Sequence, residues 1–182
     1  MAKTKWSLDP THSELGFKIR HLMITNVSGN FKKFSIEVET DNDDFASAKV
    51  QASIDIDSIN TNNEQRDIHL RNADFFEVTS HPTADFKSTK IVKTGDDTFD
   101  LYGDLTIKGI TKAIRLSLEY SGNAKDPWGN LKAGFAITGR INRKDFGITF
   151  NSPLETGGVA LGDEIKVIGE IQLVKQVELQ PA

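Results

Sequence analysis

Apolar and polar residues alternate along most of the chain, which is the spacing that gives a strand one buried and one solvated face. The alternation predicts about eight strands. They lie at Leu15–Ile19, Phe34–Val38, Val50–Ile56, Ala84–Val92, Phe99–Ile107, Ile114–Tyr120, Phe135–Ile141 and Ile165–Leu173. Short connections around Gly95, Gly109 and Gly129 suit antiparallel neighbours. The pattern therefore predicts an all-β chain in which strands adjacent in sequence pair.

The alternation stops in one stretch, "SINTNNEQRDIHLRNADFF". Thr61 and Glu64 have the spacing of a helix capping box, which predicts one short helix at about Asn63–Arg71. Phe75 and Phe76 follow directly and need burial because they are large aromatic side chains. We expect this segment to pack at one end of the fold and to shape a pocket there.

Eight antiparallel strands with one apolar face close most economically into an up-and-down barrel, because closure removes the unpaired edges. A β-sandwich is the alternative. A barrel of this size either fills its interior with side chains or leaves room for one small ligand. The irregular stretch Thr149–Gly162 is long for a connection and is a candidate rim or lid. No repeat or linker interrupts the pattern, so we expect residues 1–182 to form a single domain.

The parity of the strands assigns a set of side chains to the barrel interior. We predict that this set, with residues of the short helix and its continuation, contacts a ligand. The predicted ligand-binding residues are Leu15, Phe17, Ile19, His21, Phe34, Ile36, Ile54, Leu70, Phe75, Phe76, Phe86, Leu101, Leu105, Leu116, Phe135 and Ile137. The chain has 11 phenylalanines against two tyrosines and two tryptophans. This bias fits a packed core and an apolar cavity equally well.

The amino-acid composition argues against several classes of function. The 182 residues carry a formal net charge of −4 without a stripe of basic residues, which argues against a nucleic-acid partner. The absence of cysteine excludes disulfides, thiolate catalysis and cysteine-bound zinc. No apolar run approaches the roughly 20 residues needed to span a bilayer. Lys3 and Lys5 are followed by Asp9 and Pro10 instead of an apolar leader segment, so we expect a cytoplasmic location, or a periplasmic or secreted one if a leader has been removed.

Two of the four histidines flank the first predicted strand. His12 and His21 are an odd number of residues apart, so they point to opposite faces of an extended strand and lie on the order of 30 Å apart. They cannot share a metal ion, and we expect no metal site. His12 follows a turn-like Asp9–Pro10 pair and is predicted to tie down the strand by hydrogen bonds. His21 faces inward, either as a structural histidine or as a polar contact to a ligand.

The predicted helix carries Arg66, Asp67, His69 and Arg71, which could supply an acid, a base and anion-binding charges. The alternative is a charged helix surface, since Asp67 and Arg71 are four residues apart and Arg66 and His69 three apart. No phosphate-binding glycine loop or dinucleotide fingerprint is present, so no nucleotide cofactor is expected.

The segments "WSLDPTHSELGFKIRHLMITNVSGNF", "SINTNNEQRDIHLRNADFF", "HPTADFKSTKI", "YGDLTIKGITKAIRL" and "NRKDFGI" together resemble the YceI-like family of polyisoprenoid- or lipid-binding proteins. The resemblance runs from Trp6 to about Val174. It implies a lipocalin-like, eight-stranded antiparallel barrel with an open cavity, in which a long isoprenoid or fatty-acid-like molecule lies along the barrel axis. It also implies a homodimer, and it brings no established catalytic residues.

The sequence is therefore compatible with two functions. In the first, the barrel binds a polyisoprenoid, an isoprenoid quinone or a fatty-acid-like lipid for carriage, storage or sequestration, with no cofactor other than this ligand. In the second, the protein is an enzyme that acts on such a lipid with His21 or His69 as the acid or base. We favour binding because the strand faces show no paired nucleophile and base.

Overall fold

One sheet of 11 strands and one α-helix make up the described part of the chain, residues 2–151 and 160–176, in the computed structural model. The strands are β1 (Lys3–Leu8), β2 (Glu14–His21), β3 (Thr25–Phe31), β4 (Phe34–Asp41), β5 (Asp44–Asp55), β6 (Ile59–Asn60), β7 (Thr83–Lys93), β8 (Thr98–Ile107), β9 (Ile110–Lys125), β10 (Leu131–Asn142) and β11 (Leu161–Lys175). Helix α1 spans Glu64–Arg71, and short 3-10 helices lie at Pro10–His12, Ile56–Ser58 and Arg143–Phe146.

The sheet closes into an eight-stranded antiparallel barrel, as the alternation predicted, and the sandwich alternative is wrong. Strands β1 and β2 both pair with β11, while β4 pairs with β1 and β3 pairs with β2. The segments β1 and β2 thus act as one interrupted strand, and β3 and β4 as a second. From there the ring continues through β5, β7, β8, β9, β10 and β11, each paired with the next. The short β6, which follows β5 in the chain, pairs antiparallel with β3.

The segments β1 and β3 have no counterpart among the predicted strands, because each has only two bulky apolar residues. In β1, "KTKWSL", Trp6 is the buried residue, and β3, "TNVSGNF", is largely polar with only Val27 and Phe31 as bulky apolar residues. Both are held by backbone pairing with the neighbouring long strands. A segment held in this way needs little apolar alternation of its own.

A buried carboxylate fixes the break between β1 and β2. Asp9 accepts hydrogen bonds from Thr11 N at 3.1 Å, Thr11 Oγ1 at 2.8 Å and His12 Nδ1 at 2.9 Å, and it pairs with Lys132 of β10. The predicted structural role of His12 is confirmed by this contact. Burial by itself raises the pKa of the Asp9 carboxyl, but the hydrogen bonds from Lys132, His12 and Thr11 outweigh it and hold the pKa well below its ordinary value.

Asp9→Asn is expected to make the protein less stable at pH 7, by about 2 kcal/mol for the loss of charge-assisted hydrogen bonds. Because the folded-state pKa of Asp9 is lowered from 3.8, its stabilising contribution is complete above that pH and is lost as the pH falls further. Urea denaturation should therefore show a gap in the free energy of unfolding between wild type and variant that is the same at pH 7 and pH 5 and smaller at pH 3. Asp96→Asn, at an exposed turn, is the control and should show no such gap. A gap independent of pH would contradict the assignment.

Helix α1 lies where it was predicted, but its N-cap is a different residue. Its N-cap is Asn63, whose side chain accepts a hydrogen bond from Arg66 N at 3.0 Å. The predicted capping box of Thr61 and Glu64 is therefore wrong. Thr61 lies two residues before the cap, and its backbone N–H and hydroxyl both donate to the Asp67 carboxylate instead.

The predicted surface pairing of Asp67 with Arg71 is also wrong. Asp67 is only 6% exposed and turns toward Thr61, where it accepts two hydrogen bonds. Arg71 instead donates to the backbone carbonyls of Asp57 and Ile59, both at 3.2 Å. A buried carboxylate takes the nearest donors that offset its desolvation, and these belong to the chain before the helix. The two residues thus fasten α1 to the barrel rim.

Aromatic rings fill the barrel end that lies away from α1. Trp6 is 0% exposed, its ring centre is 5.0 Å from that of Phe45, and its Nε1 donates to Thr40 Oγ1 at 3.2 Å. Phe45 also meets Phe135 at 4.8 Å and Tyr120 at 5.7 Å. These ring contacts, at the distances typical of stabilising aromatic pairs, form an aromatic floor of Trp6, Phe45, Tyr120 and Phe135.

Candidate functional site

The barrel encloses an elongated cavity of about 510 Å³. Strands β2, β3, β4, β5, β7, β8, β9, β10 and β11 and helix α1 all contribute side chains to its wall, and nearly all of these side chains are aliphatic or aromatic. Phe45 and Phe135 of the aromatic floor close one end of the cavity. A volume in the range of small-molecule sites, with apolar walls, is suited to an apolar guest.

All the residues that the strand parity and the helix segment assigned to ligand contact lie on this wall, from Leu15 on β2 to Ile137 on β10. A bulge between Ser88 and Lys90 interrupts the alternation along β7. The extra residue shifts the parity, so that Phe86 before the bulge and Ile91 after it both face the cavity. That these side chains contact a ligand stays a prediction.

A glycine lets an aromatic ring lie flat against the wall near α1. Phe17 of β2 stands opposite Gly29 of β3, and a Cβ on Gly29 would lie 2.5 Å from Phe17 Cζ and 2.9 Å from Thr61 Cγ2. Any other residue at position 29 would push the ring away. The ring also contacts Phe31, and Phe31 contacts Phe76, so one aromatic chain links the sheet to the segment after α1.

A second aromatic group surrounds His69 at the α1 end. The His69 ring centre is 5.0 Å from that of Phe75 and 5.0 Å from that of Phe150. Its Nε2 donates to Asp74 Oδ2 at 2.9 Å, and its side chain remains 41% exposed. Because His69 both lines the cavity and reaches solvent, the mouth of the cavity lies beside α1. The prediction that this segment packs at a barrel end and shapes the pocket is confirmed.

The polar groups of the wall gather at the same end. They are His21, Thr61, Arg66, His69 and Arg143. Arg66 Nε donates to Thr61 Oγ1 at 2.8 Å and its Nη2 donates to Thr61 O at 2.6 Å. None of the described wall residues is an aspartate or glutamate. The cavity is therefore apolar along its length and bears basic side chains and hydrogen-bond donors near its mouth.

Comparison with known proteins identifies the architecture. The family model described as a YceI-like domain matches residues 6–173. The chain belongs to the YceI-like family. Among its relatives, a UPF0312 protein of Staphylococcus aureus strain N315 is 42% identical over 164 residues, which cover 90% of this YceI-like chain and 93% of the relative.

Solved structures agree with this assignment. A YCEI protein of Campylobacter jejuni is 37% identical, with a TM-score of 0.75 over 93% of this chain and 97% of the other. Burkholderia cenocepacia BcnA reaches a TM-score of 0.78 at 24% identity, over 91% and 98% of the two chains. A polyisoprenoid binding domain from Saccharophagus degradans reaches 0.68 at 17% identity, over 94% and 98%. The last two show that the YceI-like barrel has the same fold as these proteins.

Sequence reasoning missed two polar residues of the YceI-like cavity, Thr61 and Arg143. Arg143 follows β10 within "NRKDFGI", outside any strand alternation, and its side chain is 1% exposed. Nε donates to Gly162 O at 2.9 Å, and Nη1 donates to Ile148 O at 3.0 Å and Phe150 O at 2.7 Å. Burial lowers the pKa of this guanidinium, and the nearby Asp163 carboxylate partly opposes that shift. The only sequence signal was the motif itself.

Part of the predicted rim lies outside the described residues. The expected rim or lid, Thr149–Gly162, includes 152–159, of which nothing is described. On either side of that gap Phe150, Ala160 and Leu161 line the cavity, and Leu161 N donates to the Asn151 side chain at 2.9 Å. The described ends of this stretch therefore belong to the cavity mouth.

Within residues 2–151 and 160–176, no three histidine or acidic side chains come together as metal ligands would. The one α-helix found there, α1, is too short and too polar to cross a membrane.

Proposed function

We propose that this protein binds a long apolar molecule, such as a polyisoprenoid, an isoprenoid quinone or a fatty-acid-like lipid, for carriage, storage or sequestration. The observation that carries the proposal is the elongated cavity of about 510 Å³ with apolar walls. Membership of the YceI-like family supports it, and a protein of the same fold is described as a polyisoprenoid binding domain.

The apolar wall supplies the affinity. Burying each CH2 group of a ligand is worth about 0.8 kcal/mol before ordering costs, so a ten-carbon tail gains about 8 kcal/mol. Part of this gain offsets the lost freedom of ligand and side chains. A tail of this length binds without a charged anchor, and the polar groups at the mouth serve to orient the head.

The alternative function, an enzyme acting on a bound lipid, rests on His21 and His69. The hydrogen bond from His69 Nε2 to Asp74 is the observation in its favour, because a carboxylate orients a catalytic imidazole in many enzymes. Against it, Thr61 carries the only hydroxyl among the described wall residues. That hydroxyl already donates to Asp67 and accepts from Arg66, so it is not available as a nucleophile.

Mass spectrometry of organic extracts from freshly purified protein tests the proposal. We expect a long-chain lipid in near-stoichiometric amount, recovered chemically unchanged after prolonged incubation with the protein. His21→Ala should weaken its retention only modestly, by about the 1 kcal/mol of a typical hydrogen bond. Conversion of the lipid into a product, lost in His21→Ala or His69→Ala, would instead support the enzyme.

Two further expectations remain proposals. The first is a homodimer, which rests on the family resemblance and which light scattering at micromolar concentration tests. The second is a cytoplasmic location, which fractionation of cells producing the natural protein tests.

A further inference from the structure

Large apolar side chains lie exposed at the barrel end that holds the cavity mouth. They form the mouth patch, which consists of Leu22, Met23 and Ile24 in the turn between β2 and β3, Ile68 on α1, and Ile110 in the turn between β8 and β9. Met23, Ile24 and Ile68 are each more than half exposed. Single exposed apolar residues are common on protein surfaces, but a group of them around one opening marks a site of contact.

Backbone and side-chain contacts tie the mouth patch to the opening. Leu22 N donates to Ala160 O at 2.8 Å, and Ala160 lines the cavity. The turn between β8 and β9 reaches the residues after α1, where Lys108 Nζ donates to Ala73 O at 3.2 Å. Helix α1 itself places His69 on the cavity wall. The two turns and the helix therefore border the opening through which a ligand enters.

The turn between β2 and β3 holds its apolar side chains in an unfavourable backbone conformation. Leu22 and Met23 have φ angles of +54° and +59°, a region in which glycine and asparagine are the favoured residues. Two other hairpin turns have those residue types at positive φ, namely Asn42 between β4 and β5 and Gly109 between β8 and β9. Stability alone favours the same choice at positions 22 and 23. Their bulky side chains are better explained by contact with a partner.

Both turns of the mouth patch lie in basic stretches of the chain. Residues 15–36 contain four lysine or arginine residues, residues 105–118 contain three, and neither stretch has an aspartate or glutamate. Arg20 and Lys108 donate to the backbone carbonyls of Met23 and Ala73, and no described carboxylate is paired with either side chain. The apolar side chains are therefore flanked by positive charge.

The charges elsewhere on the barrel do not reverse this polarity. Carboxylates at the mouth end lie on other segments, and several are already paired: Asp57 with Arg71, Asp163 with Lys144, and Glu164 with Arg140. At the opposite end the turns are acidic, since residues 41–44 read DNDD and residues 94–98 read TGDDT. Among the described residues, Lys3 and Lys175 pair with two of these five aspartates. An anionic surface is attracted to the mouth end more than to the other end.

We propose that the mouth patch docks this protein onto the surface of an anionic lipid bilayer. The apolar side chains enter the interface, and the flanking cations lie against the negatively charged headgroups. The mouth then opens directly onto the bilayer, so a lipid tail passes into the cavity without crossing water. The docking goes beyond the proposed function, whereas the passage of the tail rests on it.

Flotation of the purified protein with vesicles tests the docking. At low salt we expect the protein to float with vesicles of equal parts phosphatidylcholine and phosphatidylglycerol, and to bind vesicles of phosphatidylcholine alone at least about tenfold more weakly. Binding to the anionic vesicles should fall at about 0.5 M NaCl, because salt screens the attraction between the cations and the headgroups.

A pair of double variants locates the apolar contact. Met23→Ser/Ile24→Ser should weaken binding to the anionic vesicles by at least about tenfold, because two apolar side chains no longer enter the interface. Val92→Ser/Trp128→Ala is the matched control, since it removes two exposed apolar side chains at the opposite end of the barrel. It should bind as the wild type does. Thermal melts check that both variants fold.

A pair of charge reversals locates the electrostatic contact. Lys112→Glu, at an exposed position close to the turn between β8 and β9, should weaken binding by about fivefold or more. Lys93→Glu, at an exposed position at the opposite end of β7, is the control and should have little effect. These single surface changes keep the question open to test if the serine double variant does not fold.

The outcomes separate docking from ligand binding. Equal flotation with both kinds of vesicle, no flotation with either, or a loss confined to the control variants would overturn the docking. Nile red binding by the protein without vesicles measures the cavity independently. If Nile red binds and the vesicles do not, the docking is wrong and the proposed function stands. If the vesicles bind and Nile red does not, the proposed function fails and the docking stands.

Discussion

Ala84→Trp is expected to abolish binding of a fluorescent polyprenyl probe while the barrel remains folded. Ala84 is a small, buried residue of β7 on the cavity wall, directly opposite Ile54 of β5. An indole there occupies space that a ligand tail would fill. Displacing about four CH2 groups of the tail costs about 3 kcal/mol, which corresponds to an affinity loss of more than a hundredfold.

Fluorescence titration with the probe measures this loss, and a thermal melt checks the fold. Ala113→Trp is the matched control, because Ala113 is an exposed residue of β9 outside the cavity. It should bind the probe as the wild type does. Unchanged binding by a folded Ala84→Trp variant would show that the probe binds elsewhere on the protein, and the cavity would lose its assigned role.

Trp6→Ala is expected to cause the largest loss of stability of any single truncation in the aromatic floor. Trp6 is fully buried, packs on Phe45 and donates to Thr40. Removing it leaves a large void beneath Phe45 and takes away one hydrogen bond to Thr40 Oγ1, which keeps its own bond to Asn42 O. Truncation of a buried tryptophan typically costs 3–5 kcal/mol, so we expect a loss of about 4 kcal/mol in the free energy of unfolding.

Chemical denaturation followed by circular dichroism measures the change. Trp6→Phe keeps an aromatic ring and should cost less than Trp6→Ala. Trp128→Ala removes the other tryptophan, which is 83% exposed in the turn between β9 and β10, and should change stability by less than about 0.5 kcal/mol. Equal effects of Trp6→Ala and Trp128→Ala would mean that the floor contributes little to the fold.

The barrel and its lining could be predicted from sequence because one physical rule governs both. A strand with water on one face and an apolar space on the other must alternate, and the parity of that alternation names the wall residues. This rule placed Phe17, Leu101 and Ile137 on the cavity correctly. It also placed His21 there, since His21 shares the parity of its apolar neighbours.

The rule could not find features that depend on contacts between distant segments. β3 is a strand because β2 pairs with it, not because of its own residues. Asn63 caps α1 although Thr61 is an equally good cap by residue type, and what sets them apart is that the buried Asp67 binds Thr61. Arg143 reaches the cavity from a 3-10 helix, where no alternation applies.

The alternation also could not predict whether the barrel interior is filled by side chains or holds a cavity. Large aromatic side chains at inward positions, such as Phe34 and Phe86, satisfy both outcomes equally. The difference arises from the circumference of the closed ring and from how side chains on facing strands meet across it. These quantities belong to the assembled barrel and cannot be read from any one strand.

The aromatic floor gives the cavity a direction and a depth. A lipid tail bound as proposed would enter beside α1 and extend until it meets Phe45 and Phe135, with Trp6 packed behind Phe45. Because the floor lies at a fixed distance from the mouth, the cavity would hold hydrocarbon chains of one length best. Short chains leave part of the wall without contacts, and chains that are too long keep their last carbons in water. Under the proposed function, such a barrel would sort the lipids of a mixed pool by length.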